Sequence, residues 1–374
     1  MNILIAADSF KDALPALEVC QAIEAGIHLA RPDVKIRLCP LADGGEGTYE
    51  VLANSLGLQP VEIAALDPLF RPITATYGYN ARREMAFLEM AKTAGLQLLS
   101  PKERNPLTTT TFGVGLQMAD AIQRGARHII LAIGGSATND AGIGMAAALG
   151  WKFLDKNGAA LSPIGGNLGH ISSIVPPSDL PEVSVEIICD VTNPLFGPMG
   201  AAYVYAQQKG ADDVSIEQLD GGLQHFARVA AQSGYMSDPD YPGTGAAGGM
   251  GFGAMCFLRA ELRRGIEMVL NLVDFEDKLT WADIVVTGEG KIDLQTAQGK
   301  LVQGLCRRAM VQAKPVIALC GRLEASQAEI QEIGLEAAYC INDPTEAASL
   351  AVMLQNTGAN LEKTARQVFK SLPE

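Results

Sequence analysis

Residues 128–142, HIILAIGGSATNDAG, carry the reading from which the fold follows. The run from His128 to Ile133 is short, β-branched and bounded by glycine, as a strand buried on both faces would be. Gly134-Gly135-Ser136-Ala137-Thr138-Asn139-Asp140 then forms a loop of small residues, and from about Ala141 the run GIGMAAALG has helical character. The same unit recurs outward in both directions. Ile3 to Ala7 leads into Asp8-Ser9-Phe10-Lys11, and residues 36–39 (IRLC) lead into Leu41-Ala42-Asp43-Gly44-Gly45-Glu46-Gly47-Thr48. Residues 185–189 (VEIIC) precede Asp190-Val191-Thr192-Asn193-Pro194, and 283–287 (DIVVT) precede Gly288-Glu289-Gly290-Lys291-Ile292-Asp293. Residues 316–320 (VIALC) precede Gly321-Arg322. Between the first two runs, Leu17, Cys20, Ile23, Ile27 and Ala30 repeat at three- and four-residue steps, with Pro15 suited to a first turn and Pro32 ending the helix. Alternating strands and helices make an α/β protein with a substantially parallel sheet, whose ligand site lies beyond the C-terminal ends of the strands.

At 374 residues the chain suits two domains. The loop-rich stretch from Lys156 to Pro181 and the turn-rich DPDYPGTGAAGG from Asp238 to Gly249 mark elaboration in the middle, while the C-terminal third regains the alternation of the first 65 residues. The expected organisation is a discontinuous, doubly wound, Rossmann-like domain with a largely parallel sheet, residues 1–65 and 280–374. A mixed α/β domain, residues 66–279, is inserted into it, and the expected active site is the cleft between the two.

Composition excludes several classes. Hydrophobic residues make up 48% and charged residues 19%, which rules out a disordered chain. The net charge is −13 and no basic stripe is present, so nucleic acid is not an expected partner. The seven cysteines form no C-x-x-C pair and most sit in apolar runs, reading as buried thiols of a reducing compartment. His28, His128, His170 and His225 share no metal-ligand spacing. No run approaches ~20 uninterrupted apolar residues, and MNILIAADSF is too short for a signal peptide, so the expected location is the cytoplasm.

Single loops of Asp, Gly and Asn are ordinary turns. Five strand ends carrying acids, lysines and glycines together point to an enzyme site. In residues 134–142 small residues let backbone N–H groups approach an anion, with a helix start beyond them. A tight turn capped by Ser136, Thr138 or Asp140 explains the same letters, and the two readings stand even. The loop lacks the Gly-Lys-Ser/Thr ending of a P-loop and the second glycine of a nucleophile elbow. Gly243-Thr244-Gly245-Ala246-Ala247-Gly248 has the letters of a dinucleotide fingerprint but follows Pro242 rather than a strand, so close packing explains it better. Asp190 can take a proton from a hydroxyl or hold Mg²⁺, with Asn193 completing a shell; the plainer reading is a turn aspartate. Lys209 can face a phosphate or sit in solvent. Glu289, Lys291 and Asp293, in a glycine-loosened loop, can serve a Mg-nucleotide or merely pair in water. Phosphoryl transfer asks for this set of metal, cations, N–H groups and an acid near the attacking hydroxyl. No histidine lies in any cluster, which disfavours a hydrolytic triad.

Taken in order, DSFK (8–11), LADGGEGT (41–48), GGSATNDAG (134–142), CDVTNPLFGPMGAA (189–202), QKGA (208–211), GAAGGMG (245–251) and TGEGKIDLQT (287–296) with Gly299-Lys300 resemble the type I glycerate kinases of bacteria. The resemblance runs from Met1 to about residue 343. It implies a two-domain α/β kinase that phosphorylates D-glycerate with ATP and Mg²⁺, giving 2-phosphoglycerate in glycerate or glyoxylate catabolism. It implies Asp190 and Lys11 as catalytic, and Asp8, Ser9, Asp43, Gly44, Asn193 and Lys209 as substrate-binding. Gly134, Gly135, Ser136, Asn139, Asp140, Gly248, Gly249, Glu289 and Lys291 are the implied nucleotide-binding residues, with Asp190 and Asp293 on the metal. Two departures stand out: Ala13-Leu14-Pro15 replaces a Ser-Leu-Ser type run, removing a hydroxyl contact or helix cap, and Gln207 replaces a proline, which should loosen the approach to Lys209. Phosphorylation at the 3-hydroxyl, and a sugar-acid-binding protein without turnover, are the competing readings. A homo-oligomer stays open.

Overall fold

The computed structural model describes residues 1–42, 47–179, 182–235, 238–293, 301–342 and 349–372. In chain order the strands are β1 (Asn2–Ile5), β2 (Lys35–Leu38), β3 (Gln59–Leu66), β4 (Pro72–Asn80), β5 (Met85–Glu89), β6 (His128–Ala132), β7 (Lys152–Leu154), β8 (Ser173–Val175), β9 (Ser184–Ile188), β10 (Glu261–Arg263), β11 (Ile284–Ile292), β12 (Val316–Leu323) and β13 (Ala337–Cys340). The chain divides into two compact units, Met1–Leu56 with Gly265–Glu374, and Gly57–Arg264.

The first unit is a wholly parallel five-stranded sheet in the order β13-β12-β11-β1-β2. Strand β1 lies between two neighbours, Ile3 opposite both Ile284 and Ile36, and is apolar from Ile3 to Ile5 because both of its faces are covered there. Ile3, Ile5, Ile284, Val286, Ile317 and Leu319 meet one helical layer, built from Val19, Cys20, Ile23 and Ile27 of the helix Ala16–Ala30 and Leu361, Ala365, Val368 and Phe369 of the helix Thr357–Ser371. These helices cross closely at Gly26, where a Cβ would come within 2.2 Å of the Glu362 carbonyl. Leu17 departs from the expected apolar face and is exposed, its place taken by Val19. Pro15 is the N-cap and makes no side-chain cap bond, as its replacement of a serine implies.

The expected loop at residues 288–293 is corrected: β11 continues to Ile292, because Glu289 and Lys291 pair with Cys320 and Arg322 of β12. An expected border at residues 65 and 66 falls inside β3, which pairs with β4 over its whole length from Gln59↔Tyr79 to Leu66↔Pro72. Strand pairing therefore carries that border back to residues 56 and 57.

The second unit holds a mixed sheet in the order β10-β9-β6-β5-β4-β3, parallel from β10 to β5 and antiparallel from β5 to β3. The helix Ala246–Leu258 lies between two apolar clusters. Ala246, Met250 and Ala254 pack with the sheet, while Phe252, Cys256 and Phe257 join Trp151, Phe153 and Phe226. A helix covered on both sides has no polar face to show in its sequence. All seven cysteines are free thiols and six are buried. Among the described residues no helix is long and apolar enough to cross a membrane.

Candidate active site

In the first unit β1 leads to β2 on one side, whereas β11 leads to β12 and β13 on the other. The direction of winding reverses between β1 and β11, and loops leaving the C-terminal ends of such strands diverge and open a crevice. A cavity of about 1700 Å³ opens there, lined by Asp8, Ser9, Lys11, Glu289 and Lys291, with an apolar side that includes the outward-facing Leu17. Ser9 donates from its backbone N and its Oγ to Asp8 Oδ1, at 2.7 and 3.3 Å. Lys291 Nζ lies 3.0 Å from Asp293 and 2.7 Å from Glu324, and these carboxylates raise its pKa. Asp293 therefore already faces a cation of the chain itself, and metal binding there would have to compete with Lys291. Such exposed pairs stabilise little and rearrange readily. Asp43 and Gly44 lie outside the described residues.

In the second unit Ala132 of β6 is in register with Ile188 of β9, so Gly134 and Asp190 leave the same end of the sheet, each two residues past the pair. Gly134, Gly135 and Asp190 are exposed, and a Cβ on Gly134 would meet nothing within 4 Å. Gly135 has φ +70°, which glycine adopts without strain. Beyond them the loop is closed on several sides. Leu96 N donates to Gly135 O at 2.9 Å, Ala137 N to Ala94 O at 2.8 Å, and Thr109 Oγ1 to Ala137 O at 3.0 Å. Gly248 packs so tightly that a Cβ would lie 2.1 Å from the Thr138 carbonyl, and Gly253 makes the same approach to the Ala141 carbonyl. Residues 247–249 all take positive φ to permit this, so the glycines of this segment serve close packing.

Three of the expected site residues are engaged by the chain itself. Asp140 is fully buried and accepts from Thr111 N (2.7 Å), Thr111 Oγ1 (2.9 Å), Gly142 N (3.1 Å) and Gly144 N (3.3 Å). It thus occupies the start of the helix Ile143–Ala148 itself, and that start offers no open anion cradle. Burial pushes its carboxyl up to about 6 despite those bonds. Lys209 is neither solvated nor loosely held in the absence of a proline at Gln207. Only 2% of it is exposed, and its ammonium donates to Ser136 Oγ at 2.8 Å and Thr138 O at 2.7 Å. Burial pushes it down to about 7, against the opposite pull of Asp140. Asn193 is engaged within its own loop, donating to Met199 O and accepting from the Tyr205 hydroxyl at 2.7 Å.

Five buried polar atoms of this unit have no hydrogen-bond partner among the described residues: Trp151 Nε1, in the aromatic cluster, and Arg104 Nε, Thr138 Oγ1 and both amide atoms of Asn139. Arg104, a lone arginine in the turn-rich PKERNPL, was not singled out from the sequence, where nothing distinguishes it from a surface cation. The arrangement offers a preordered glycine loop beside an exposed carboxylate, and separately a large crevice with cations: the parts of a group-transfer enzyme acting on anions.

The glycerate kinase family model matches residues 3–373. The chain is 40% identical to a glycerate kinase of Bacillus cereus over 371 residues, covering 98% of this chain and 97% of that one. It is 38% identical to the glycerate 2-kinase of Escherichia coli over 376 residues, covering 100% and 98%. A crystal structure of a Salmonella typhimurium LT2 protein, proposed to be glycerate kinase 2, superposes with a TM-score of 0.89 at 41% identity, covering 99% and 97% of the two chains.

Proposed function

The chain belongs to the glycerate kinase family, and from that premise we propose that it transfers the γ-phosphate of ATP to the 2-hydroxyl of D-glycerate. The observation that carries the reading is the register of β6 with β9, which brings the open Gly134–Gly135 turn and the Asp190 carboxylate to one end of the sheet. In this reading Asp190 accepts the proton of the attacked hydroxyl as its oxygen bonds to phosphorus and the bond to the ADP oxygen breaks. The crevice beside β1 and β11 takes the nucleotide. At about 1700 Å³ it has room for base, ribose and phosphates, and Lys11, Lys291 and Arg322 are its cations.

Mg²⁺ suits the donor set. The described residues contain no cluster of three acidic, histidine or cysteine ligands, but Mg²⁺ is commonly held by one or two carboxylates and the phosphates of its nucleotide. Asp190 is the exposed carboxylate suited to it. When bound, the ion neutralises charge on the transferring phosphoryl group. Buried thiols and the use of ATP support a cytoplasmic location.

The name of the Escherichia coli relative supports the 2-position. The test is a coupled assay with enolase and pyruvate kinase, omitting phosphoglycerate mutase. Immediate signal is the expected result. Signal that begins only on adding mutase would assign the product to the 3-position.

A further inference from the structure

We infer that Arg104, with Thr138 and Asn139, forms the recognition site for a small hydroxy acid in the second unit, the arginine taking its carboxylate; in naming that acid as glycerate, the inference rests on the function proposed above. The groups are drawn together by glycine contacts. Gly210, next to Lys209, has space for no Cβ because the Arg104 carbonyl would lie 2.1 Å from it and the Arg104 Cβ 2.9 Å. Gly165 is confined in the same way between the Pro106 carbonyl at 2.3 Å and the Asn139 carbonyl at 2.8 Å. Lys209 closes the ring through Ser136 and Thr138.

Two features of this ring ask for a ligand. First, its charge is unbalanced. Arg104 is partly buried and has no ion pair or hydrogen bond among the described residues, and Lys209 beside it is buried. The carboxylate in this neighbourhood, Asp140, already accepts four hydrogen bonds from Thr111, Gly142 and Gly144. Buried cations are ordinarily paired, and an incoming anion would supply the missing partner. Secondly, the vacant hydrogen-bonding capacity is of both kinds. Asn139 is 0% exposed with neither its Nδ2 nor its Oδ1 bonded, and Thr138 Oγ1 is likewise unbonded at 0% exposure. A fully ionised phosphate offers acceptors alone and would leave Asn139 Oδ1 unmet. A hydroxy acid offers a carboxylate to Arg104 and the Asn139 amide N–H, and a hydroxyl proton to Asn139 Oδ1. Arg104 is partly exposed and meets the ligand first, whereas Thr138 and Asn139 are fully buried and join the contact only by opening toward it.

The test is calorimetric titration of the full chain, without turnover, with D-glycerate, D-lactate, inorganic phosphate and ADP, on wild type, Arg104→Gln, Arg104→Lys and Asn139→Asp. Thermal melts of each variant verify folding. Arg104→Gln should weaken D-glycerate binding roughly 10-fold or more while ADP binding changes by no more than about twofold. Arg104→Lys should recover part of the loss, and Asn139→Asp, which sets a negative charge against the carboxylate, should weaken binding further. D-Glycerate binding to folded Arg104→Gln at wild-type strength would overturn the inference and leave the unbonded atoms to buried water. Loss of ADP or phosphate binding with D-glycerate unaffected would overturn it in favour of a phosphate site. If wild type binds D-lactate through Arg104 but not D-glycerate, the hydroxy-acid site stands and the proposed substrate falls.

Discussion

In the unit made from both chain ends, the segment past β1 and the last residues of β11 border a cavity of about 1700 Å³, and Lys291 shares its charge with Asp293 and Glu324 in exposed ion pairs. In the unit spanning Gly57–Arg264, the loop past β6 is bound by backbone hydrogen bonds, a buried lysine, a buried carboxylate and glycines packed too closely to leave room for a Cβ. Both regions lie at the ends of parallel strands and both are rich in glycine and charge, yet only the second is held by buried charged groups. Exposed pairs cost little to break and remake, which suits a site that must admit and release a bulky ligand. Buried, bonded groups such as Asp140 and Lys209 hold a loop in one geometry before any ligand arrives, which is what stabilising a transition state requires.

The contrast is easiest to break with glycines. Gly248→Ala should destabilise the protein by about 3 kcal/mol, since its φ is +71° and the new Cβ would meet the Thr138 carbonyl at 2.1 Å. Urea unfolding measures this, and a midpoint equal to wild type would show that the loop gives way. Next comes Asp190→Asn, which keeps shape and removes charge from an exposed position. Turnover should fall by roughly 10²-fold with an unchanged melting temperature. Near-wild-type turnover would remove Asp190 from the chemistry.

Lys209 sharpens the comparison through pH. Unfolded, its ammonium keeps its proton up to the ordinary 10.5; folded, burial releases it at about 7. Between those values the unfolded chain binds more protons, so this residue makes stability rise with pH there, and the gain is lost as pH falls through about 7. Asp140 acts oppositely below: its folded pKa of about 6 lies above 3.8, so its contribution is present below 3.8 and is lost as pH rises through about 6. Lys209→Met should abolish the rise in urea midpoint above pH 7 relative to wild type; retention of the rise would assign it to other groups. The smallest effect belongs to the open unit. Gly290→Ala, whose Cβ would have Lys11 N at 3.9 Å as its nearest neighbour, should change stability by no more than about 0.5 kcal/mol.

Strands buried on both faces were legible as apolar runs, and the helix Ala16–Ala30 was legible from its periodicity, because backbone geometry imposes those patterns locally. The extension of β11 through Glu289 and Lys291 was not. Glycines and charges resemble a loop until a neighbouring strand supplies the hydrogen bonds. For the same reason Leu17 read as a core residue although it lines the crevice. Asp140 read evenly as part of an anion site or as a helix cap, and Lys209 as facing a phosphate or solvent; only the folded chain shows Asp140 bonded at the helix start and Lys209 bonded to Ser136.

By itself the sequence determined the fold class, the strand-end loops past β1, β6 and β9 and, through the order of its motifs over nearly the whole chain, the family. Those properties depend on residue spacing, which is local and survives in one dimension. Only the tertiary structure decided which charges are spent on holding the loop past β6 and which are left to meet a ligand. Asp140 is taken up by Thr111, 29 residues away, and Lys209 by Ser136, 73 residues away, while Arg104 is brought beside Lys209 with no partner among the described residues. Whether a charged side chain is free or spent depends on burial and on partners distant in sequence, and neither exists until the chain has folded.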